Sequence, residues 1–293
     1  MPFHSMAQWV ALAEQSDRPL YQVALEMERT DSGIEPEALL ARLAERWEVM
    51  EASMTRGLTE EVRSESGLVG AGARRLHEAR VAGHTLTQVM ADAIARALAV
   101  SEVNAAFGRI VAAPTAGSAG VVPGVFAAVA AARNLSRHTV VRGLVTAGHI
   151  GAIAARRASL AGSAAGCQAE NGVASAMAAG AVVEMLGARP RVSDHAAAIA
   201  LKNLLGLVCD PVAGRVEVPC VKRNAGAAAN ALAAAEMALA GIESVIPLDE
   251  VIDAMAWIGI HMPVELRETS EGGLAATPTG RRIAERLKVE VDP

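Results

Sequence analysis

The sequence predicts an all-α, multi-helix fold, and three observations point there. Only seven of the 293 residues are aromatic, so alanine, leucine and valine must build the core. That composition suits close-packed helices better than a β-sandwich, which draws on aromatic and β-branched residues. Apolar residues recur at helical spacing, and no strict strand alternation exceeds about five residues. No fixed-period repeat and no low-complexity linker interrupts the chain.

The expected elements follow in order. Met6 to Glu14 and Leu20 to Glu28 read as amphipathic surface helices. Glu35 to Glu51 places Leu39, Leu40, Leu43 and Trp47 on one face, after a Ser32-Gly33 turn and an early-helix proline at Pro36. Thr85 to about Val103 forms another helix, with Leu86, Val89, Met90, Ile94 and Leu98 aligned. Beyond Ser101 the charge falls: the first 100 residues carry 25 charged side chains, and the 140 residues from Ser101 to Ala240 carry 19. Alanine-rich helices there alternate with glycine-containing breaks at Pro114–Gly124, Gly143–Gly151, Ala161–Gly172, Asp210–Gly214 and Gly272–Gly280. Arg215 to Val218 reads as a short extended piece. The organisation expected is one domain over 1–293, with charged amphipathic helices in 1–100 and an alanine-rich core in 101–293.

A net charge of −5 gives no basic footprint for nucleic acid. Val111 to Ala132 holds no charge and is long enough to span a bilayer, yet Pro114, Gly117, Gly120, Pro123 and Gly124 break its first half. It reads as buried protein rather than membrane. No basic segment followed by an apolar run opens the chain, and unpaired cysteines suit a reducing cytoplasm.

Three cysteines, Cys167, Cys209 and Cys220, stand in this charge-poor region. An odd count with no CxxC pair argues against a complete disulfide framework and a four-cysteine zinc site. Three thiolates can hold three irons of a cubane cluster and leave the fourth open, whereas electron-transfer clusters normally use four. Three buried structural cysteines are the plain alternative. Two of the three lysines, Lys202 and Lys222, lie nearby, and Lys222-Arg223-Asn224 follows Cys220 directly. Cations beside a cysteine favour the thiolate and can anchor a carboxylate. Thr115, Gly117, Ser118 and Gly120 offer hydroxyls and backbone N–H groups to a carboxylate or phosphate, without P-loop spacing. Six arginines (109, 133, 137, 142, 156 and 157) sit in a run from 103 to 169 that has no acid, which suggests a local positive field. His149 alone among the histidines lies in a glycine-rich break.

Several stretches together resemble the iron–sulfur-dependent L-serine dehydratases, α subunit. They are Gly166-Cys167-Gln168-Ala169-Glu170, Leu204 through Gly214 around Cys209-Asp210-Pro211, and Val216 through Asn224 around Pro219-Cys220. Ala113 to Ser118, Gly272 to Gly280 and Ser64-Glu65-Ser66-Gly67-Leu68 extend the likeness over nearly the whole chain. The resemblance implies a [4Fe–4S] cluster held by Cys167, Cys209 and Cys220 within Gly/Ala-rich interior loops of a helical catalytic domain. It implies conversion of L-serine to pyruvate and ammonia without pyridoxal phosphate. A regulatory domain would come from a separate β subunit, in a heterodimer or higher oligomer, with no nucleic acid and no membrane involved. On this reading Lys222 and Arg223 are the catalytic candidates, and Thr115, Ser118, Asn224, Asn104 and Ser66 the substrate-binding ones. A cysteine desulfidase with the same kind of cluster is the alternative. Three departures from the family pattern stand out. The chain ends Glu290-Val291-Asp292-Pro293 where some relatives end in a cysteine, His149 replaces a small or apolar residue, and Asn171 follows Glu170.

Overall fold

The computed structural model describes residues 4–80 and 87–287, and within them it is helical throughout, with isolated bridges at Arg63–Gly70 and Cys209–Arg267 in place of strands. The charged half gives α1 (Met6–Gln15), α2 (Leu20–Ser32), α3 (Pro36–Thr59), α4 (Gly72–Arg80) and α5 (Gln88–Ala105). The alanine-rich half gives α6 (Val121–Arg133), α7 (Arg137–Arg157), the short α8 (Gly162–Ala165), α9 (Val173–Met185) and α10 (Pro190–Lys202). α11 (Cys220–Leu239), α12 (Leu248–His261) and α13 (Pro278–Arg286) complete it. The helices expected in the first half are present. α3 runs on to Thr59 because Met50, Met54 and Leu58 continue its apolar face into the core. The Thr85 and Leu86 start expected for α5 lies outside the described residues.

α9 is the centre of the packing. Its sequence carries no charge before Glu184, and it is buried on nearly every side, as a helix apolar all round must be. α6, α7, α10 and α11 surround it, and α5 packs on α6 and α11 from outside. One continuous apolar cluster runs from Met6 of α1 to Met255 of α12. With so few large side chains, small residues set the spacing. A Cβ at Gly120 would lie 2.2 Å from the Ala97 carbonyl oxygen, so the start of α6 meets the α5 backbone where only glycine fits.

Two expectations, one break and one extended piece, are corrected. Gly143–Gly151 lies inside α7, because Gly143 and Gly151 are sites of close packing against Met185 and Met177 of α9. Helix–helix contact there outweighs glycine's cost of about 1 kcal/mol in a helix interior. Of Arg215–Val218 only Arg215 is extended; turn runs from Val216 to Pro219, the Glu217 N–H bonds back to the Arg215 carbonyl, and Cys220 opens α11 directly. The Pro114–Gly124 break is real but shorter: a single turn at Ala116–Ser118 precedes α6. The apolar stretch Ala116–Arg133 is thus a turn plus a 13-residue helix, 61% buried among the other helices.

Part of the charge on the acid-free run is answered across the fold. Arg137 pairs with Glu48 and Glu51 of α3, Arg157 with Asp253 of α12, and Arg142 lies 5.2 Å over the Tyr21 ring. The acids that answer these arginines come from distant segments.

Glu184 supplies one testable consequence of burial. Its carboxylate accepts from the Tyr21 N–H at 3.0 Å, capping α2, and from the Thr146 hydroxyl. Burial lifts this carboxyl above the usual range, while the Thr146 and Tyr21 bonds oppose the shift. A carboxyl raised in the folded state favours folding only while it holds its proton. The stability it contributes is therefore lost as pH rises from the unfolded value through the folded one. Glu184→Gln should show a flatter dependence of thermal midpoint on pH above about 4.3, the ordinary value for glutamate. Glu184→Ala, which leaves the Tyr21 N–H without its acceptor, should cost about 1–2 kcal/mol at neutral pH.

Candidate active site

The three cysteines come from three loops that converge beside α11 and α12. Cys167 follows α8, after Gly166, whose φ of +76° turns the chain inward. The π-helical turn Gln168–Gly172 comes next, and Gln168 fixes it from inside the protein. Its amide donates to the Ala165 and Met255 carbonyls at 2.9 and 3.2 Å and accepts from the Gly206 N–H at 2.8 Å. Cys209 is held by its backbone, its N–H on the Leu266 carbonyl and its carbonyl on the Glu268 N–H, at 2.8 and 2.6 Å. Cys220 is the first residue of α11.

One guanidinium ties two of these loops together. Arg223 donates to the Val208 carbonyl at 2.7 Å and to Asp210 Oδ1 at 2.8 Å, pinning the Cys209 turn to the first turn of α11. The other oxygen of Asp210 accepts from the Leu274 N–H at 2.8 Å, which draws in the glycine-rich loop before α13. Asn224 docks the remaining turn: its amide donates to the Gly117 carbonyl at 2.7 Å and accepts from the Gly120 N–H at 2.9 Å. Asn104 adds a bond to the Ala116 carbonyl at 3.2 Å. Thr115 and Ser118 face each other at 3.1 Å, and the Thr115 hydroxyl donates to Glu170 Oε1 at 2.7 Å.

All three thiols are free and buried, at 1, 3 and 7% exposure for Cys167, Cys209 and Cys220. Burial pushes each thiol up, and the thiolate of Cys167 raises both Cys209 and Cys220 further. Arg223 opposes this at Cys167 and Cys220, and the Asn171 amide donates to Cys167 Sγ at 3.0 Å. Three buried sulfurs that oppose one another's ionisation gain most from a cationic group set among them.

The Serine dehydratase alpha chain family model matches residues 15–275, a span that takes in all of these loops. The chain belongs to that family. It is 54% identical over 266 residues to the "Probable L-serine dehydratase, alpha chain" of Bacillus subtilis (strain 168), covering 90% of this chain and 88% of the relative. It is 43% identical over 274 residues to the "L-serine dehydratase, alpha chain" of Peptoniphilus asaccharolyticus, covering 93% and 94%. Against "L-serine dehydratase 2" of Escherichia coli (strain K12) it is 45% identical over 246 residues, 82% of this chain but 54% of that longer one.

In this member of the family the donor set fits an iron–sulfur group. The candidate donor atoms are soft sulfurs, and the chain has no fourth cysteine. Among the described residues no three His, Cys, Asp or Glu side chains converge as they would on one metal ion. A cluster differs in giving each sulfur its own iron. The cradle has a physical mark too. A Cβ at Gly162 would stand 3.0 Å from Cys209 Sγ and 2.8 Å from Glu170 Oε2, so glycine there keeps the space beside the sulfur clear.

The expected site residues separate into two groups. Arg223, Thr115, Ser118, Asn224 and Asn104 lie in the network around the cysteines. Lys222 is exposed on α11 and lines a neighbouring cleft of about 520 Å³ with Glu217, Glu102 and the 67–72 loop. Ser66 adjoins that cleft through Glu217, its hydroxyl donating to Glu217 Oε2 at 2.5 Å. His149 lies elsewhere, on α7, with Nδ1 at the Val145 carbonyl and its ring against Trp9.

Glu170, Asp210 and Asn171 were absent from the expected set. Glu170 had a signal in the sequence, as the acid that ends the run from 103 to 169 and shares a motif with Cys167. Asn171, with no evident role in the sequence, is buried and bonds a cysteine sulfur, while its Oδ1 has no partner. Asp210 had none, because its partners lie 13 and 64 residues away.

Proposed function

We propose that this chain is the catalytic α subunit of an L-serine dehydratase, forming pyruvate and ammonia from L-serine. The observation that carries this reading is the convergence of three free buried thiols with the Thr115–Ser118 turn and Glu170 in a family whose relatives bear that name. Cys167, Cys209 and Cys220 would hold a [4Fe–4S] cluster. When bound, such a group supplies a Lewis acid for the β-hydroxyl, a poor leaving group on its own.

The remaining roles belong to the protein. Arg223 fixes the relative placement of two cysteine loops and offsets their negative charge. Gln168 and Asn224 set the other two loops, so the site is organised before substrate arrives. Thr115 and Ser118 present hydroxyls to the substrate. Loss of the Cα proton and of water leaves aminoacrylate, whose imine tautomer is hydrolysed to pyruvate and ammonia. A separate β subunit and a cytoplasmic setting complete the reading; the alpha-chain designation of the relatives supports the first and free cysteines the second.

The test is pyruvate release by anaerobically prepared, cluster-reconstituted protein with its partner chain present, offered L-serine and L-cysteine in parallel. Pyruvate mainly from L-serine is expected. Sulfide from L-cysteine with no pyruvate from L-serine would overturn the assignment.

A further inference from the structure

Glu170 is an acid with a place in the site and no counter-charge. It is largely withdrawn from solvent, and the Thr115 hydroxyl at 2.7 Å is its hydrogen-bond partner. Among the described residues no lysine or arginine forms an ion pair with it, and burial and the acid of Glu268 both act against its ionisation. Space is kept open on both of its oxygens. A Cβ at Gly117 would lie 3.0 Å from Oε1, and one at Gly162 would lie 2.8 Å from Oε2. The carboxylate thus lies between the Thr115 turn and the Cys209 sulfur.

We propose that Glu170 receives the α-ammonium group of the substrate and so selects α-amino acids over the corresponding hydroxy acids. The inference rests on the dehydratase reading and names the part of the site that recognises the amino group. A half-buried carboxylate without a cation is costly to ionise, and an incoming ammonium supplies the missing charge through short, charge-assisted hydrogen bonds. The substrate carboxylate is repelled from the same spot, which orients the molecule. An analogue that carries hydroxyl in place of ammonium leaves the acid uncompensated, a penalty that discriminates strongly.

The experiment compares L-serine with L-glycerate, which differs by that one group, on cluster-loaded wild type and Glu170→Gln. Calorimetric binding of both compounds is measured alongside turnover. In Glu170→Gln the KM and Kd for L-serine should rise about tenfold or more while kcat changes less than about threefold and L-glycerate binds as well or better. Equal weakening of both ligands, or unchanged L-serine binding, overturns the proposal; so does a collapse of kcat at constant KM, which would make Glu170 a proton carrier instead. Should Glu170→Gln lose its fold or iron, Gly117→Ala crowds the same carboxylate and must shift the L-serine to L-glycerate affinity ratio the same way; an unchanged ratio also overturns it. A wild type that fails with L-serine removes the functional reading itself, whereas a working wild type with an indifferent variant removes this assignment alone.

Discussion

Cys209→Ala should abolish the reaction and strip the iron. Cys209 stands between two backbone bonds that fix its loop, so the substitution removes a sulfur without unmooring the chain. Pyruvate formation from L-serine is expected to fall by roughly 10²–10³ or more, the rate equivalent of several kcal/mol of Lewis-acid assistance. Iron and acid-labile sulfide per chain should fall with it after anaerobic reconstitution, while the helical circular dichroism stays that of wild type. Retention of full iron content with activity within tenfold would show that this thiol is an inert core residue.

Asp210→Ala should be among the most destabilising single changes available at the site. The side chains of Asp210 and Arg223 are 4% and 17% exposed, so the pair is shielded from water. Removing the acid leaves the guanidinium buried beside thiols without its partner and frees the Leu274 N–H. Breaking a buried pair from one side costs about 3–5 kcal/mol. For a chain of this size that corresponds to a fall of roughly 6–12 °C in thermal midpoint. Asp210→Ala combined with Arg223→Met should cost less than the sum of the two single changes, because the second removes the stranded charge. Additive losses in that cycle would show that the two side chains act separately. Iron loading of Asp210→Ala should also drop, since the Cys209 loop and the start of α11 lose the guanidinium that joins them.

Both expectations concern residues that the sequence made visible to different degrees. The cysteines were legible because each carries a run of specific neighbours. Arg223 was visible as a cation beside Cys220, yet its partner was not. Asp210 looked like an ordinary turn residue ahead of Pro211, and the role that the structure gives it depends on Leu274 and Arg223 together. Lys222 and Arg223 illustrate the same limit. They are adjacent in sequence, but on a helix successive residues point about 100° apart. Arg223 therefore enters the cysteine network while Lys222 faces solvent and the Glu217 cleft. Two arginines of the acid-free run, Arg137 and Arg157, meet acids of α3 and α12 only through folding.

By itself the sequence determined the helical class, the alanine-built core, most helix positions in the first half and the three cysteines singled out as candidates. These depend on composition, on periodicity over a few turns and on residues read within a dozen positions. Tertiary structure alone decided that Gly143 and Gly151 continue α7, that Glu170 borders the sulfurs and that Asp210 and Asn171 serve the site. Each of those outcomes is set by which surface a residue meets across the fold. Close packing and buried charge are properties of pairs brought together in space, and no local pattern records them.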